Sequence, residues 1–170
     1  MNSNTQPFVA VLIGSDTDLP VMQSTLDVLQ SFGIRTEVKI TSAHRTPERT
    51  HAYVKEADGR GCAVFIAAAG LAAHLAGTVA GLTLKPVIGV PMDGGPLNGI
   101  DALLSTVQMP GGVPVASVAI GKAGAKNAGY LAAQILAIQD PALAERLRAD
   151  RAATAEAIAE KDRQLNIRPG

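Results

Sequence analysis

Phe8-Val9-Ala10-Val11-Leu12-Ile13-Gly14-Ser15-Asp16-Thr17-Asp18-Leu19-Pro20 is the stretch that decides the fold. Six apolar residues run together without alternation, which suits a strand covered on both faces, as in a parallel sheet flanked by helices. Gly14 ends the run. Asp18 can then cap a helix, Pro20 falls in its first turn, and Leu19, Met22, Leu26 and Leu29 recur at helical spacing until Gly33 can stop it. Strand, tight turn and helix in direct succession form the first half of a βαβ unit.

Outward from this stretch the pattern repeats. Residues 37–40, 63–69, 86–90 and 113–120 read as four more strands, most of them continuous apolar runs, with helical segments between them. The economical reading is an α/β sandwich with a parallel sheet and right-handed crossovers. Thr46-Pro47 opens a second helix running toward Gly59 and Gly61, a shorter one lies between His74 and Gly81, and another occupies 100–107 inside a long Gly- and Pro-rich connection, 91–112. Connections of that length are often functional. Residues 123–139 read as a small-residue helix. Asp140 and Pro141 restart a helix whose later part, 145–163, is too polar to bury much of itself, so the segment 141–166 is expected to pack on another subunit.

At 170 residues the chain suits one domain, 1–170. Aromatics are only 3% of the residues, so the core must be built from Ala, Val, Leu and Ile. Fifteen basic residues balance fifteen acidic ones, which leaves no field to hold nucleic acid or an anionic membrane. The opening Met-Asn-Ser-Asn-Thr-Gln-Pro has no charged n-region or apolar h-region, and the single cysteine, Cys62, can form no internal disulfide; both fit a reducing cytoplasm. Cys62 itself, where a buried strand begins, reads as an inert core thiol.

In a parallel sheet, ligands bind beyond the carboxyl ends of the strands. The segments found there are Gly14 to Asp18, Ser42-Ala43-His44-Arg45-Thr46-Pro47, Ala69-Gly70-Leu71-Ala72-Ala73-His74, and Gly121-Lys122-Ala123-Gly124. Gly14-Ser15 before a helix offers N–H groups, a hydroxyl and a positive dipole end, as a phosphate requires, although a plain turn with Asp18 as an ordinary cap fits equally well. An adjacent His44 and Arg45 combine a group that exchanges protons near neutrality with a fork that grips phosphate or carboxylate. His74 follows a turn of small residues and either contacts a ligand or hydrogen-bonds a neighbouring loop. His51, inside the second helix, reads as a surface residue. There is no Cys/His/Asp cluster at metal-ligand spacing, and too few aromatics to clamp a flavin, so no cofactor or metal is expected.

Together with Ala72-Ala73-His74-Leu75, Val107-Gln108-Met109-Pro110-Gly111-Gly112 and Ala119-Ile120-Gly121-Lys122-Ala123-Gly124-Ala125, the histidine loop makes residues 9–140 resemble the class I N5-carboxyaminoimidazole ribonucleotide mutase family, formerly called the catalytic subunit of phosphoribosylaminoimidazole carboxylase. The resemblance implies a flavodoxin-like three-layer α/β/α sandwich, a homo-octamer with sites at subunit junctions, and a small ribonucleotide as substrate. It also implies roles: His44 as general acid/base, and Ser15, Asp18, Ser42, Arg45, Gly70 and His74 as substrate-binding residues. The chain departs from the family pattern at Ala68 and Leu71, where glycines are frequent, and at Ala76, where proline is frequent, positions that bear on the width of the pocket.

The reaction so implied moves a carboxyl group from an exocyclic amine, where it is a carbamate, to a ring carbon, within de novo purine biosynthesis. Carbamates lose carbon dioxide readily and an aminoimidazole is electron-rich, so confinement and one proton-transfer residue suffice. A related carboxylase that uses free carbon dioxide typically carries Lys-Gly after the histidine, where this chain has Arg45-Thr46. A phosphoacceptor receiver module would fit Asp16, Asp18 and Lys122, yet the third strand ends Ala67-Ala68-Ala69-Gly70 with no aspartate to phosphorylate.

Overall fold

The computed structural model describes residues 7–166. The opening segment on which the absence of a leader was read lies almost wholly outside them.

Five strands, β1 (Phe8–Ile13), β2 (Thr36–Ile40), β3 (Cys62–Ala69), β4 (Val87–Pro91) and β5 (Ala116–Ser117), form one parallel sheet in the order β2-β1-β3-β4-β5. Around it lie α1 (Leu19–Ser31), α2 (Pro47–Gly59), α3 (Leu75–Ala80), α4 (Ile100–Val107), α5 (Gly121–Ala137) and α6 (Pro141–Asn166). The strand order and the helices on both faces make this the flavodoxin-like α/β/α sandwich anticipated from the sequence.

β1 shows why its run had to be continuous. Val9, Val11 and Ile13 face the core shared with Met22 and Leu29 of α1 and Ala125, Ala128 and Ala132 of α5, whereas Phe8, Ala10 and Leu12 face Tyr53, Val54 and Ala57 of α2 and Leu75 and Val79 of α3. All six are fully buried. Removing a Val, Leu or Ile side chain from water is worth about 1.5–3 kcal/mol, so β1 anchors both layers. β2, at one edge of the sheet, contrasts with it: Val38, Lys39 and Ile40 stay exposed.

α5 reaches α1 closely because its inner face is Gly124, Ala125, Ala128, Gly129 and Ala132. A Cβ on Gly129 would stand 2.9 Å from Val28 Cβ, and Thr25 Oγ1 donates a 2.6 Å hydrogen bond to the Ala125 carbonyl across the same seam. On the outside of this pair α6 seats Leu143 against Val28, Phe32 and Ala133.

Several boundaries differ from the sequence reading. β5 is two residues long, not eight: it pairs on one side only, Pro114 offers no N–H, and its partner β4 is itself short. α5 begins at Gly121, not 123. Asp18 makes no side-chain cap; a 3-10 turn, Asp16–Asp18, precedes α1, and the Ser15 hydroxyl caps it by accepting from Thr17 N–H. Thr46 likewise leaves the α2 end uncapped, because its hydroxyl accepts the Ser42 N–H at 2.9 Å instead.

Candidate active site

Beyond the carboxyl ends of β1, β2, β3 and β4 opens a cleft of about 600 Å³. Ser15, Asp18, Ser42, His44, Arg45, Gly70 and His74 all line it. β1 lies between β2 and β3, so the loops after those two strands meet over the end of β1, at the point where the chain switches direction across the sheet.

The β2–α2 loop is held from below by hydroxyls. Thr41, almost fully buried, bonds Thr50 at 2.6 Å and Thr46 at 3.2 Å. Ser42 Oγ accepts the N–H groups of both His44 and Arg45, at 3.3 and 3.1 Å, which turns the loop and aims the two side chains outward. His44 Nε2 then lies 2.7 Å from His74 Nδ1, with the rings edge to face at 79°. Arg45 Nη2 donates to the Gly14 carbonyl at 3.2 Å, which brings the guanidinium beside the Ser15 turn. The Ser15 hydroxyl orders its turn by accepting the Thr17 N–H, and Ser15 stands on the cleft wall.

Burial pushes the Asp18 carboxyl above its ordinary range, opposed by a backbone hydrogen bond with Ser15 and assisted by the neighbouring charge of Asp16. His74 precedes α3 directly, and its ring nitrogen is the partner of His44, so the neighbouring-loop hydrogen bond is realised. His51 is exposed on α2, away from the cleft. Cys62 is buried, donates to the Val64 carbonyl at 3.3 Å, and desolvation lifts its thiol to about 11, which removes it from nucleophilic chemistry. Among the described residues no three His, Cys, Asp or Glu side chains gather at metal-ligating distance, and no helix is long and apolar enough to cross a membrane.

The segment after β5 does not join the site: Gly121, Lys122, Ala123 and Gly124 form the first turn of α5, and none lines the cleft. Met92, Gly94 and Gly95, from the β4–α4 connection, do line it. Their signal was the unusual length and Gly/Pro content of 91–112, which marked the loop but not the residues.

A flavodoxin-like sheet with a histidine pair, an arginine and a serine-capped turn at its switch point defines a small-molecule α/β enzyme. The AIR carboxylase family matches residues 8–157, and the chain belongs to that family. It is 52% identical over 159 residues to the N5-carboxyaminoimidazole ribonucleotide mutase of Thermotoga maritima, covering 94% of this chain and 92% of that one. To the protein of the same name from Bacillus subtilis it is 50% identical over 160 residues, 94% and 99% of the two chains. The crystal structure of Treponema denticola PurE superposes with a TM-score of 0.86 at 30% identity, over 94% and 99% of the chains.

Proposed function

We propose that this chain is an N5-carboxyaminoimidazole ribonucleotide mutase, an isomerase that converts N5-carboxyaminoimidazole ribonucleotide to 4-carboxy-5-aminoimidazole ribonucleotide in purine biosynthesis. The observation that carries the reading is the His44–His74 contact in the same cleft as Ser15 and Arg45, in a chain half identical to mutases over nearly its whole length.

In this mechanism Ser15 and Arg45 hold the phosphate, and Asp18 accepts hydrogen bonds from ribose hydroxyls, so that remote binding energy orients the ring. Ser42 fixes the histidine loop, and Gly70 lets backbone approach the base. His44 as imidazolium protonates the exocyclic nitrogen while the N–C bond of the carbamate breaks and its electron pair stays on nitrogen, releasing carbon dioxide. The ring carbon attacks that carbon dioxide, and His44, now imidazole, takes the proton from the same carbon. One proton leaves and returns to one residue, and no cofactor is needed to balance the step. His74, within hydrogen-bond reach, fixes the orientation of the His44 ring.

The active form is a cytoplasmic homo-oligomer, an octamer by family resemblance, built from one α/β domain per chain, with α6 crossing onto a neighbour. Ile100, Leu104 and Val107 form a half-exposed apolar stripe along α4, with Leu97 exposed in the turn before it, and a groove of about 750 Å³ between α5 and α6 is open to a helix from another copy.

The test is to mix purified protein with the carbamate substrate, without ATP or added metal, and in a parallel arm with the unsubstituted aminoimidazole ribonucleotide plus bicarbonate. Carbon-carboxylated product from the first arm at much the higher rate supports the mutase. Product chiefly from the second arm would favour the carboxylase that Arg45-Thr46 speaks against.

A further inference from the structure

The turn that would take the phosphate has already engaged its donors. A hydroxyl carries one hydrogen, and Ser15 donates its own to Asp16 Oδ1 at 3.1 Å. Thr17 donates its hydroxyl hydrogen to Ser15 Oγ at 2.9 Å, and its backbone N–H is shared between Ser15 Oγ at 3.3 Å and the same Asp16 oxygen at 3.1 Å. The donors of the turn thus end, directly or through Ser15, on one carboxylate. Asp16 is exposed and does not line the cleft, although Ser15 and Thr17 on either side of it do. Its charge still reaches the cleft wall: the Asp18 carboxyl, raised chiefly by burial, is pushed further by Asp16. Among the described residues on that wall, Arg45 is the one arginine or lysine.

We infer that Asp16 is a stand-in for the phosphate of the nucleotide: in the free protein its carboxylate holds the Ser15 hydroxyl and the Thr17 N–H, and the ligand must take the Ser15 hydrogen from it. The inference rests on the mutase reading, in which Ser15 and Arg45 hold the phosphate. Binding then exchanges one charge-assisted hydrogen bond for another, Ser15 to carboxylate for Ser15 to phosphate, so little is gained at this hydroxyl. Two anions are left on either side of it, and they repel. Asp16 therefore lowers affinity for phosphorylated ligands. Substrate and product carry the same phosphate, so the weakening acts on both: it raises KM and eases the departure of product.

The experiment is a calorimetric titration of the full-length protein with aminoimidazole ribonucleotide, for the parent, for Asp16→Asn and, as a control for net charge, for Asp27→Asn, at an exposed position of α1 outside the cleft. Asp16→Asn keeps the size of the side chain and one acceptor but drops the charge. It should tighten binding by about 3- to 10-fold, the size of a like-charge contact in a solvent-screened site. The gain should shrink as salt rises from about 50 to about 500 mM, because the screening length falls. KM for the carbamate should fall alongside, and Asp27→Asn should bind as the parent does. Affinity unchanged or weaker in Asp16→Asn, or a gain of the same size in Asp27→Asn, would overturn the inference. A parent that binds the ribonucleotide yet forms no product from the carbamate would overturn the mutase reading while the comparison at Asp16 still decides its role; a parent that does not bind the ribonucleotide would overturn both.

Discussion

His44 Nε2 and His74 Nδ1 face each other at 2.7 Å, a distance at which one nitrogen must donate and the other accept. The pair therefore holds one proton between two rings, and the orientation of His44 depends on a residue thirty positions away. Replacing His44 with Asn should lower kcat by about 10²- to 10⁴-fold, the usual contribution of a positioned acid/base, while calorimetry shows nucleotide affinity largely retained. Replacing His74 with Phe should lower kcat less and change the shape of its pH profile. Near-parental turnover in the first variant would remove His44 from the chemistry.

Among the described residues the Arg45 side chain donates one hydrogen bond, to the Gly14 carbonyl, which leaves most of its guanidinium donors for an anion. Arg45→Ala should weaken binding of a phosphorylated ligand by about 10- to 150-fold, matching the 1.5–3 kcal/mol of a charged hydrogen bond. Unchanged affinity in a titration with the aminoimidazole ribonucleotide would place the phosphate elsewhere.

Glu37 receives Arg60 at 2.7 and 2.8 Å and the Tyr53 hydroxyl at 3.3 Å, and the hydrogen bond from Arg60, helped by its charge, holds the carboxyl down to about 2. Since the folded value lies below the ordinary one of 4.5, the ionised pair adds stability above about pH 4.5 and loses it as pH falls toward 2. Denaturant melts of the parent and Glu37→Gln across this range should differ near neutrality and converge at the acid end. A gap that stays constant with pH would show that the ionised pair does not act this way.

At Gly129 a Cβ would stand 2.9 Å from Val28 Cβ of α1, so Gly129→Ala should push the helices apart at the cost of the Thr25–Ala125 hydrogen bond. Overpacking of this kind costs about 1–3 kcal/mol, a drop in melting temperature that differential scanning calorimetry reads directly.

Much of the fold was legible because burial on two faces writes itself into composition: β1 and β3 need apolar residues at every position, and they have them. His44 and Arg45 were legible for a different reason, as reactive side chains at a strand's carboxyl end. What sequence could not settle depends on tertiary placement. Ser15 and Asp18 are both good cap residues three apart, and only the backbone path decides that Ser15 serves. The meeting of His44 with His74 follows from β1 lying between β2 and β3, an order no local pattern encodes. Gly95 enters the cleft wall through a contact with Leu71, and a glycine in a loop carries no sign of what will rest on it.

α6 runs for 26 residues, about 39 Å at 1.5 Å per residue, yet only its first turns have a seat on the domain. Tyr130 holds Asp150 at 2.9 Å, and from 151 to 165 only Ala159 is other than exposed. Its amides should therefore fall into two kinetic classes in deuterium exchange, slow before Asp150 and fast beyond it for an isolated chain. Slow exchange along the distal half, appearing as protein concentration rises, would make this helix a built-in gauge of self-association.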